Sequence, residues 1–278
     1  MRKKGLSLIP FFLLVKILIR LLAKGKVHPM QRYFVNGPSE NGRFYIEGED
    51  YHHIVRVMRM KQGDQIICVS PKGESALCEI AEITGEQAVA DIVQWNVESS
   101  ELPVHITIAS GLPKGDKLEL IIQKGTELGA FSFVPFVAAR SVVKWDEKKS
   151  SKKVDRWQKI SKEAAEQSHR STIPNVASPI PFSELVKVAE GYDYKLIAYE
   201  EEAKQGETSV LSEVFNKMRQ KESLIIIFGP EGGLTEKEVA ILQDNGFLSC
   251  GLGPRILRTE TAPLYLLSAA SYHFELMR

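Results

Sequence analysis

Gly251-Leu252-Gly253-Pro254-Arg255-Ile256-Leu257-Arg258-Thr259-Glu260-Thr261-Ala262-Pro263 is the stretch from which the fold is read. It follows an apolar, strand-like run, Phe247-Leu248-Ser249-Cys250, and enters a helical pattern that ends at Phe274. Two glycines and a proline in the turn let the backbone approach a ligand with no Cβ in the way. Pro263 suits the first turn of the final helix, where a missing N–H costs nothing. A second turn of the same kind lies upstream. Leu224-Ile225-Ile226-Ile227-Phe228 reads as a fully buried strand and Gly229-Pro230-Glu231-Gly232-Gly233 breaks it. Thr235 with Glu238 then forms a capping box that opens a helix. Two glycine–proline loops at the ends of adjacent buried strands, each leading into a helix, describe a ligand site at the strand edge of an α/β sheet.

Composition narrows the classes. The chain has 278 residues, 44% hydrophobic and 26% charged, which is the balance of a globular protein with room for two domains. Three scattered cysteines, Cys68, Cys78 and Cys250, form no C-x-x-C pair, and the six histidines show no H-x-x-x-H spacing, so neither a metal site nor a disulfide framework is expected. The formal charge of +1 hides an uneven distribution: residues 1–29 hold seven Lys/Arg and no acid, which leaves −6 (+1 less 7) on the rest. Arg140 to Arg170 carries ten basic against five acidic residues, a local +5 suited to a phosphate backbone.

Leu6 to Leu22 is apolar but broken by Pro10, Lys16 and Arg20. No small-x-small cleavage site follows it, and it is short for a bilayer crossing, which takes ~20 residues. Met30 is therefore expected to be the working start and residues 1–29 an upstream extension, the alternative being a membrane-surface helix or anchor. From Arg32 to about Ile92 short β-like runs (Arg43 to Ile46, Asp64 to Val69, Ser75 to Ile80, Ala88 to Val93) alternate with turns, which predicts a small antiparallel barrel with His52 to Met60 as its helical segment. His52 and His53 point in different directions on a helix, which favours packing or surface roles over a catalytic pair, while Arg56 and Arg59 are the basic side chains of the same segment. Gln94 to Pro103 reads as an interdomain linker. Val104 to Ala109, a helix over Lys117 to Leu128 and a strand over Phe131 to Phe136 make a βαβ unit, with Lys114 and Lys117 in the loop at its ligand-binding edge. In the following helix Glu163, Gln167 and Arg170 share a face at helical spacing, which is ordinarily solvated surface but here carries the local +5.

Several motifs together resemble one family. Phe228 to Thr235 (F-G-P-E-G-G-L-T) and Leu252 to Ala262 (L-G-P-R-I-L-R-T-E-T-A) are joined by Lys114-Gly115-Asp116-Lys117, Gln123 to Gly129, Arg140-Ser141, Glu163 to Arg170, Arg32-Tyr33-Phe34 and His52 to Arg59. From about Met30 to the C-terminus the chain is similar to the bacterial 16S ribosomal RNA (uridine-N3) methyltransferase family of the SPOUT superfamily. The resemblance implies an α/β fold: a trefoil-knotted, parallel-sheet methyltransferase domain over 100–278, preceded by a PUA-like RNA-binding β-barrel over 30–99. It implies S-adenosylmethionine held by Tyr199, Glu200, Gly229, Pro230, Glu231, Gly232, Leu252, Gly253, Ile256, Leu257, Arg258, Thr261 and Ala262. It also implies RNA contacts from Arg32, Arg56, Arg59, Lys114, Lys117, Arg140, Gln167 and Arg170, a homodimer, a cytoplasmic location, and the small ribosomal subunit as partner.

The residues agree with that chemistry and not with its rivals. There is no G-x-x-x-x-G-K-[ST], no third glycine for G-x-G-x-x-G because Ile256 stands there, and no G-x-S-x-G. Methylation at a uridine N3 needs alignment, a cation for the developing uridinate and an acceptor for its proton. Arg258 is the candidate cation, and Glu231 or Glu260 the candidate acceptor. For Glu260 an ion pair with an arginine, or a favourable place at the final helix's N-terminus, is the competing role. Methylation of another base or a ribose 2′-hydroxyl, and a non-catalytic ribosome-assembly factor, are the alternative functions.

Overall fold

The computed structural model describes residues 30–37, 40–95, 100–143, 145, 147–199 and 209–277. The expected N-terminal extension and Glu200 lie outside the described residues.

The first sheet is built from β1 (Arg32–Phe34), β2 (Arg43–Ile46), β3 (Gln65–Val69), β4 (Ser75–Ile83) and β5 (Ala88–Trp95) in the order β1-β3-β4-β5-β2. Between β2 and β3, helix α1 (Gly48–His52) passes into a π-helical turn over His53–Val57. Alternating small and branched side chains (Ile66, Cys68, Ala76, Cys78, Ile80, Ala88, Ala90) close its core over Phe44 and Ile54. Register shifts at Leu77/Cys78 and Ile80/Glu82 curl the β4–β5 pair. Two expectations are corrected here. The sheet is not wholly antiparallel, because Arg32-Tyr33-Phe34 pairs parallel with Ile67-Cys68-Val69. The helical segment starts at Gly48 rather than His52, where extended Glu47 precedes a first turn carrying Glu49 and Asp50, acids favoured at a helix N-terminus.

The second sheet is entirely parallel. Its elements are β6 (His105–Gly111), α2 (Lys117–Glu127), β7 (Ser132–Val137), α3 (Glu147–Gln167), β8 (Asn175–Val176), β9 (Ile180–Pro181), α4 (Phe182–Ala189), β10 (Tyr194–Ala198), α5 (Val210–Lys217), β11 (Ser223–Phe228), α6 (Glu236–Asp244), β12 (Leu248–Cys250) and α7 (Thr261–Ser271), which ends in a π-helical turn over Tyr272–Leu276. The strand order is β12-β10-β11-β6-β7-β8, with β9 also on β7. A parallel sheet covered on both faces demands continuous apolar strands, and β11 supplies one. Leu224, Ile226 and Phe228 pack with α2, α3, α5 and α7, whereas Ile225 and Ile227 pack with α4 and α6. The two strands that carry the glycine–proline loops are not adjacent, contrary to expectation: β10 lies between them, with Ala198 opposite both Phe228 and Cys250. Ser110 is opposite Phe228 and Gly111 opposite Phe136, so the carboxyl ends of these strands finish at one edge.

The sheets are joined by buried charge. Arg170, only 2% exposed, donates to the carbonyls of Thr126 (3.2 Å) and Ala130 (2.6 Å) and forms an ion pair with Glu101. Glu101 also accepts the N–H groups of Ser171 (2.7 Å) and Thr172 (3.1 Å). Arg32, 4% exposed, reaches across to the Arg170 carbonyl (3.0 Å) and to Ser75 (3.1 Å). Lys159 and Lys162 of α3 pair with Glu49 and Asp50 of α1. Arg170 and Arg32, expected as RNA contacts, serve here as internal ties, although Arg32 also lines the cleft between α1 and α3. Helical spacing misled for Arg170: α3 ends at Gln167, His169 takes a left-handed φ of 58°, and the chain turns Arg170 inward while Glu163 and Gln167 stay exposed. The stretch from Gln94 to Pro103 is likewise no bare linker, for it contributes Glu101 and a buried Leu102 packed at Gly129.

Burial pushes the Glu101 carboxyl up, but Arg170 and the N–H donors outweigh it and leave it below the usual carboxylate range. Stability from a lowered carboxylate is present above its unfolded pKa and lost as pH falls through the folded one. Arg170→Ala should therefore cost about 3 kcal/mol in urea denaturation at pH 7, the range for breaking a buried pair. That gap should narrow in acid, where Glu101 takes up a proton.

Candidate active site

The carboxyl ends of β10, β11 and β12 surround a cavity of about 520 Å³, within the range of small-molecule sites. Its walls come from Ala198 and Tyr199, from Phe228 to Leu234, and from Leu252 to Thr259 with Ala262, while Lys117 and Arg140 close its rim. Leu252, Ile256, Leu257 and Ala262 give an apolar side, and the peptides of the glycine turn give a polar one.

Local chemistry shapes the first loop. Thr235 caps α6 by accepting the Glu238 N–H at 3.2 Å, and Glu238 Oε2 accepts the Thr235 N–H at 2.8 Å, the box foreseen from the spacing. Glu238 does more than the pattern indicated. Its Oε1 accepts the Ala139 N–H at 2.8 Å and so latches the loop after β7 to the same turn. Arg140 completes the latch by donating to the carbonyls of Gly232 (3.0 Å) and Leu234 (3.3 Å). Two glycines are needed for close approach. A Cβ on Gly111 would lie 2.5 Å from Pro230 Cδ, and one on Gly229 would lie 2.9 Å from Gly233 C.

Three charged side chains meet at the mouth. Lys117, the first residue of α2, places its Nζ 2.9 Å from Glu231 Oε1 and 3.3 Å from Glu260 Oε2. Glu231 Oε1 also accepts the Lys114 N–H at 3.1 Å. The hydrogen bond that Lys117 donates to Glu231 heads the causes that raise it, with Glu260 adding to it. Burial pushes Glu231 up, but Lys117 outweighs it and the carboxyl lies below its ordinary range.

Of the expected cofactor residues, Tyr199, Gly229, Pro230, Glu231, Gly232, Leu252, Gly253, Ile256, Leu257, Arg258 and Ala262 line the cavity. Thr261 stands behind it, where its N–H caps the Arg258 carbonyl at 2.8 Å. Among the described residues Glu260 meets the site through Lys117, an ion pair with a lysine rather than an arginine. Lys117 and Arg140 were expected as RNA contacts; both belong to the cavity wall, which residue spacing alone did not reveal. Arg56 and Gln167 line a separate cleft between α1 and α3, and Arg56, Arg59 and Lys114 are exposed. His53 packs, its Nδ1 lying 3.0 Å from the Tyr33 hydroxyl, and His52 is exposed. Among the described residues no group of three or more His, Cys, Asp or Glu is placed to hold a metal. Nor, among them, is any helix long and apolar enough to cross a membrane.

The Gly111–Pro230 contact yields a test of this geometry. Gly111→Ala should destabilise by about 1–3 kcal/mol, the cost of overpacking, and Pro230→Ala in the same chain should recover part of it. A urea double-mutant cycle measures the coupling.

Comparison with known proteins agrees with the geometry. Residues 100–271 match the family described as "RNA methyltransferase domain", and residues 46–93 match "RNA methyltransferase PUA domain". The chain is 54% identical over 253 residues to ribosomal RNA small subunit methyltransferase E of Bacillus subtilis, covering 90% of this chain and 99% of that one. It is 32% identical to the protein of that name in Synechocystis, covering 78% and 69%. Among solved structures, ribosomal RNA small subunit methyltransferase E of Neisseria gonorrhoeae, bound to S-adenosylmethionine, superposes with a TM-score of 0.76 at 28% identity, covering 87% and 97%. A methyltransferase of Legionella pneumophila in complex with the same cofactor gives 0.75 at 29%, with the same coverage. An α/β methyltransferase unit with its ligand edge intact, a PUA-like sheet before it and a Bacillus relative matched along 99% of its length lead to one assignment: the chain belongs to the small-subunit ribosomal RNA methyltransferase E family.

Proposed function

We propose that the protein methylates N3 of a specific uridine in 16S ribosomal RNA of the small subunit, in the cytoplasm, with S-adenosylmethionine as donor. The observation that carries this reading is the cavity at the ends of β10, β11 and β12, where an apolar wall, bare glycine peptides and an ion-paired carboxylate converge. The cavity suits the cofactor: Leu252, Ile256, Leu257 and Ala262 offer an apolar slot, and no Cβ stands on Gly229, Gly232 or Gly253 where peptides face it. Tyr199, Pro230, Glu231 and Arg258 complete its lining, with Thr261 just beyond it. When bound, the cofactor supplies an activated methyl group on a sulfonium.

The chain's own residues then have two tasks. A uridine N3–H is a weak acid that stays mostly protonated at neutral pH, so a base must take the proton and a cation must favour the anion. Arg258 on the cavity wall is assigned the electrostatic role, and Glu231 is preferred over Glu260 as acceptor because it lines the cavity. The target base leaves its stack to enter, and phosphate contacts elsewhere offset that cost. With Arg32 and Arg170 committed inside, those contacts fall to Arg56, Arg59, Lys114 and Gln167, with Arg140 at the cavity rim. The unit over 30–99 docks RNA and the unit over 100–278 carries the chemistry.

Two further features belong to this reading. The trefoil knot is supported by the route of the chain: β12 lies beside β10 at the sheet edge, yet α7 packs on α2, so residues 251–260 recross the strand ends. A homodimer is supported by Tyr265, Tyr272, Leu276 and Met277, which are large, apolar and exposed along α7 and the turn after it.

The test uses small subunits from cells lacking the modification, labelled S-adenosylmethionine and mass spectrometry of the nucleosides. Label in N3-methyluridine is expected, with Arg258→Ala slower by about 10²-fold or more, the usual loss for a stabilising donor. Label in another base or at a ribose would displace the substrate assignment. No label, despite cofactor binding, would point to an assembly factor.

A further inference from the structure

We propose that Lys117 is a second catalytic cation of this site, one that changes partner during proton transfer. In the free protein its ammonium is shared between Glu231 and Glu260. When the uracil enters, the ammonium turns to a ring carbonyl beside N3 and releases Glu231 to accept the N3 proton. The proposal rests on the methylation reading above.

The geometry supports this in three ways. Lys117 lies at the mouth of the cavity, with its side chain 31% exposed. Its two partners come one from each glycine–proline loop, Glu231 at 2.9 Å and Glu260 at 3.3 Å, so the ammonium sits where the two loops meet. An ammonium has three donors; one is hydrogen-bonded to Glu231, while Glu260 is held as an ion pair with Oε2 accepting no hydrogen bond, so donor capacity remains for a ligand. The cluster of one ammonium and two carboxylates also carries net −1, a spare negative charge suited to receiving a proton. On Glu231, the hydrogen bonds from Lys114 and Lys117 both end on Oε1, which leaves Oε2 for the substrate.

The step balances within the protein and the base. The N3–H bond breaks, an O–H bond forms on Glu231, and the electron pair stays on the uracil, spread over N3 and the flanking carbonyls. Charge thus moves from Glu231 to the base, and Lys117 moves with it. Beside Lys117 the Glu231 carboxyl is held low; once the ammonium has turned away, only backbone N–H groups, that of Lys114 among them, still oppose burial, so the carboxyl rises and becomes a better base when a base is needed. Glu260 acts as a positioning residue that keeps the ammonium at the mouth while it exchanges Glu231 for the uracil. Because both carboxylates raise its pKa, Lys117 stays charged through the working range.

Lys117→Ala, Lys117→Met and Lys117→Arg separate charge from packing and shape. The assay follows N3-methyluridine formation on small subunits from pH 6 to pH 10 (on the order of the window that spans neutral operation and unaided uracil ionisation), with cofactor affinity measured by calorimetry. The Ala and Met variants should bind cofactor normally and lose about 10²-fold in kcat. Their rates should keep climbing into alkali, where the uracil ionises unaided, while the parent levels off. Lys117→Arg should recover part of the rate. In the free protein, with no cofactor, a carbon-13 titration should find the Glu231 carboxyl higher in Lys117→Ala than in the parent. A raised KM with unchanged kcat and an unchanged pH profile would overturn the proposal and make Lys117 a phosphate-docking residue. An unmoved Glu231 titration would also overturn it. Failure of the parent itself to form N3-methyluridine would instead defeat the functional reading and take the proposal with it.

Discussion

The whole site depends on how closely the turn after β11 lies on the end of β6. Pro230 sits where any side chain on Gly111 would be, and Gly229 folds back onto Gly233 with no space for a Cβ. That contact fixes the height of the turn above the sheet and hence the position of Glu231. It is reinforced from the far side by Glu238 and Arg140, which tie the loop after β7 to the same turn through one N–H and two carbonyls. Because the strands are parallel and in register at their carboxyl ends, a rigid turn on β11 lies beside whatever leaves β10 and β12. A ligand edge built this way needs little adjustment when a ligand arrives, which limits the ordering cost of binding.

Charged residues divide between structure and chemistry according to burial. Arg170 and Arg32 are spent inside, where Glu101, Ser75 and backbone carbonyls compensate them and where they hold the curled sheet against the parallel one. Lys117, Arg140 and Arg258 stand at the cavity, partly open to water, where a charge can still exchange partners. This division shows that a local excess of positive charge between Arg140 and Arg170 does not by itself mark an open basic face. Lys159 and Lys162, which belong to that excess, are also engaged by Glu49 and Asp50 of the first sheet's helix.

Much of this was legible in the chain and some was not, for definite reasons. The strand over Leu224 to Phe228, the capping box at Thr235 and Glu238 and the two glycine–proline turns are local, and period and turn chemistry report them faithfully. Most of the cavity wall followed from the family motifs carried by those turns. The order of strands did not: β10 between β11 and β12 is a matter of long-range pairing, invisible to any window. Arg32-Tyr33-Phe34 was too short a run to be read as a strand, and its parallel partner lies over thirty residues on. Arg170 was misread because helical spacing was extended past the point where His169 leaves the helical region. Lys117 was placed at the right edge, but its partners are more than a hundred residues away in sequence, so its position between two carboxylates emerged only from the fold.

The central claim is that the cofactor binds between the turn over Gly229 to Leu234 and the segment over Leu252 to Ala262. Amide hydrogen exchange of the free protein, with and without S-adenosylmethionine, tests it most directly. Slower exchange confined to peptides covering those two segments and Ala198-Tyr199 is the predicted result. Protection centred instead on the cleft between α1 and α3, or spread evenly over both sheets, would contradict it.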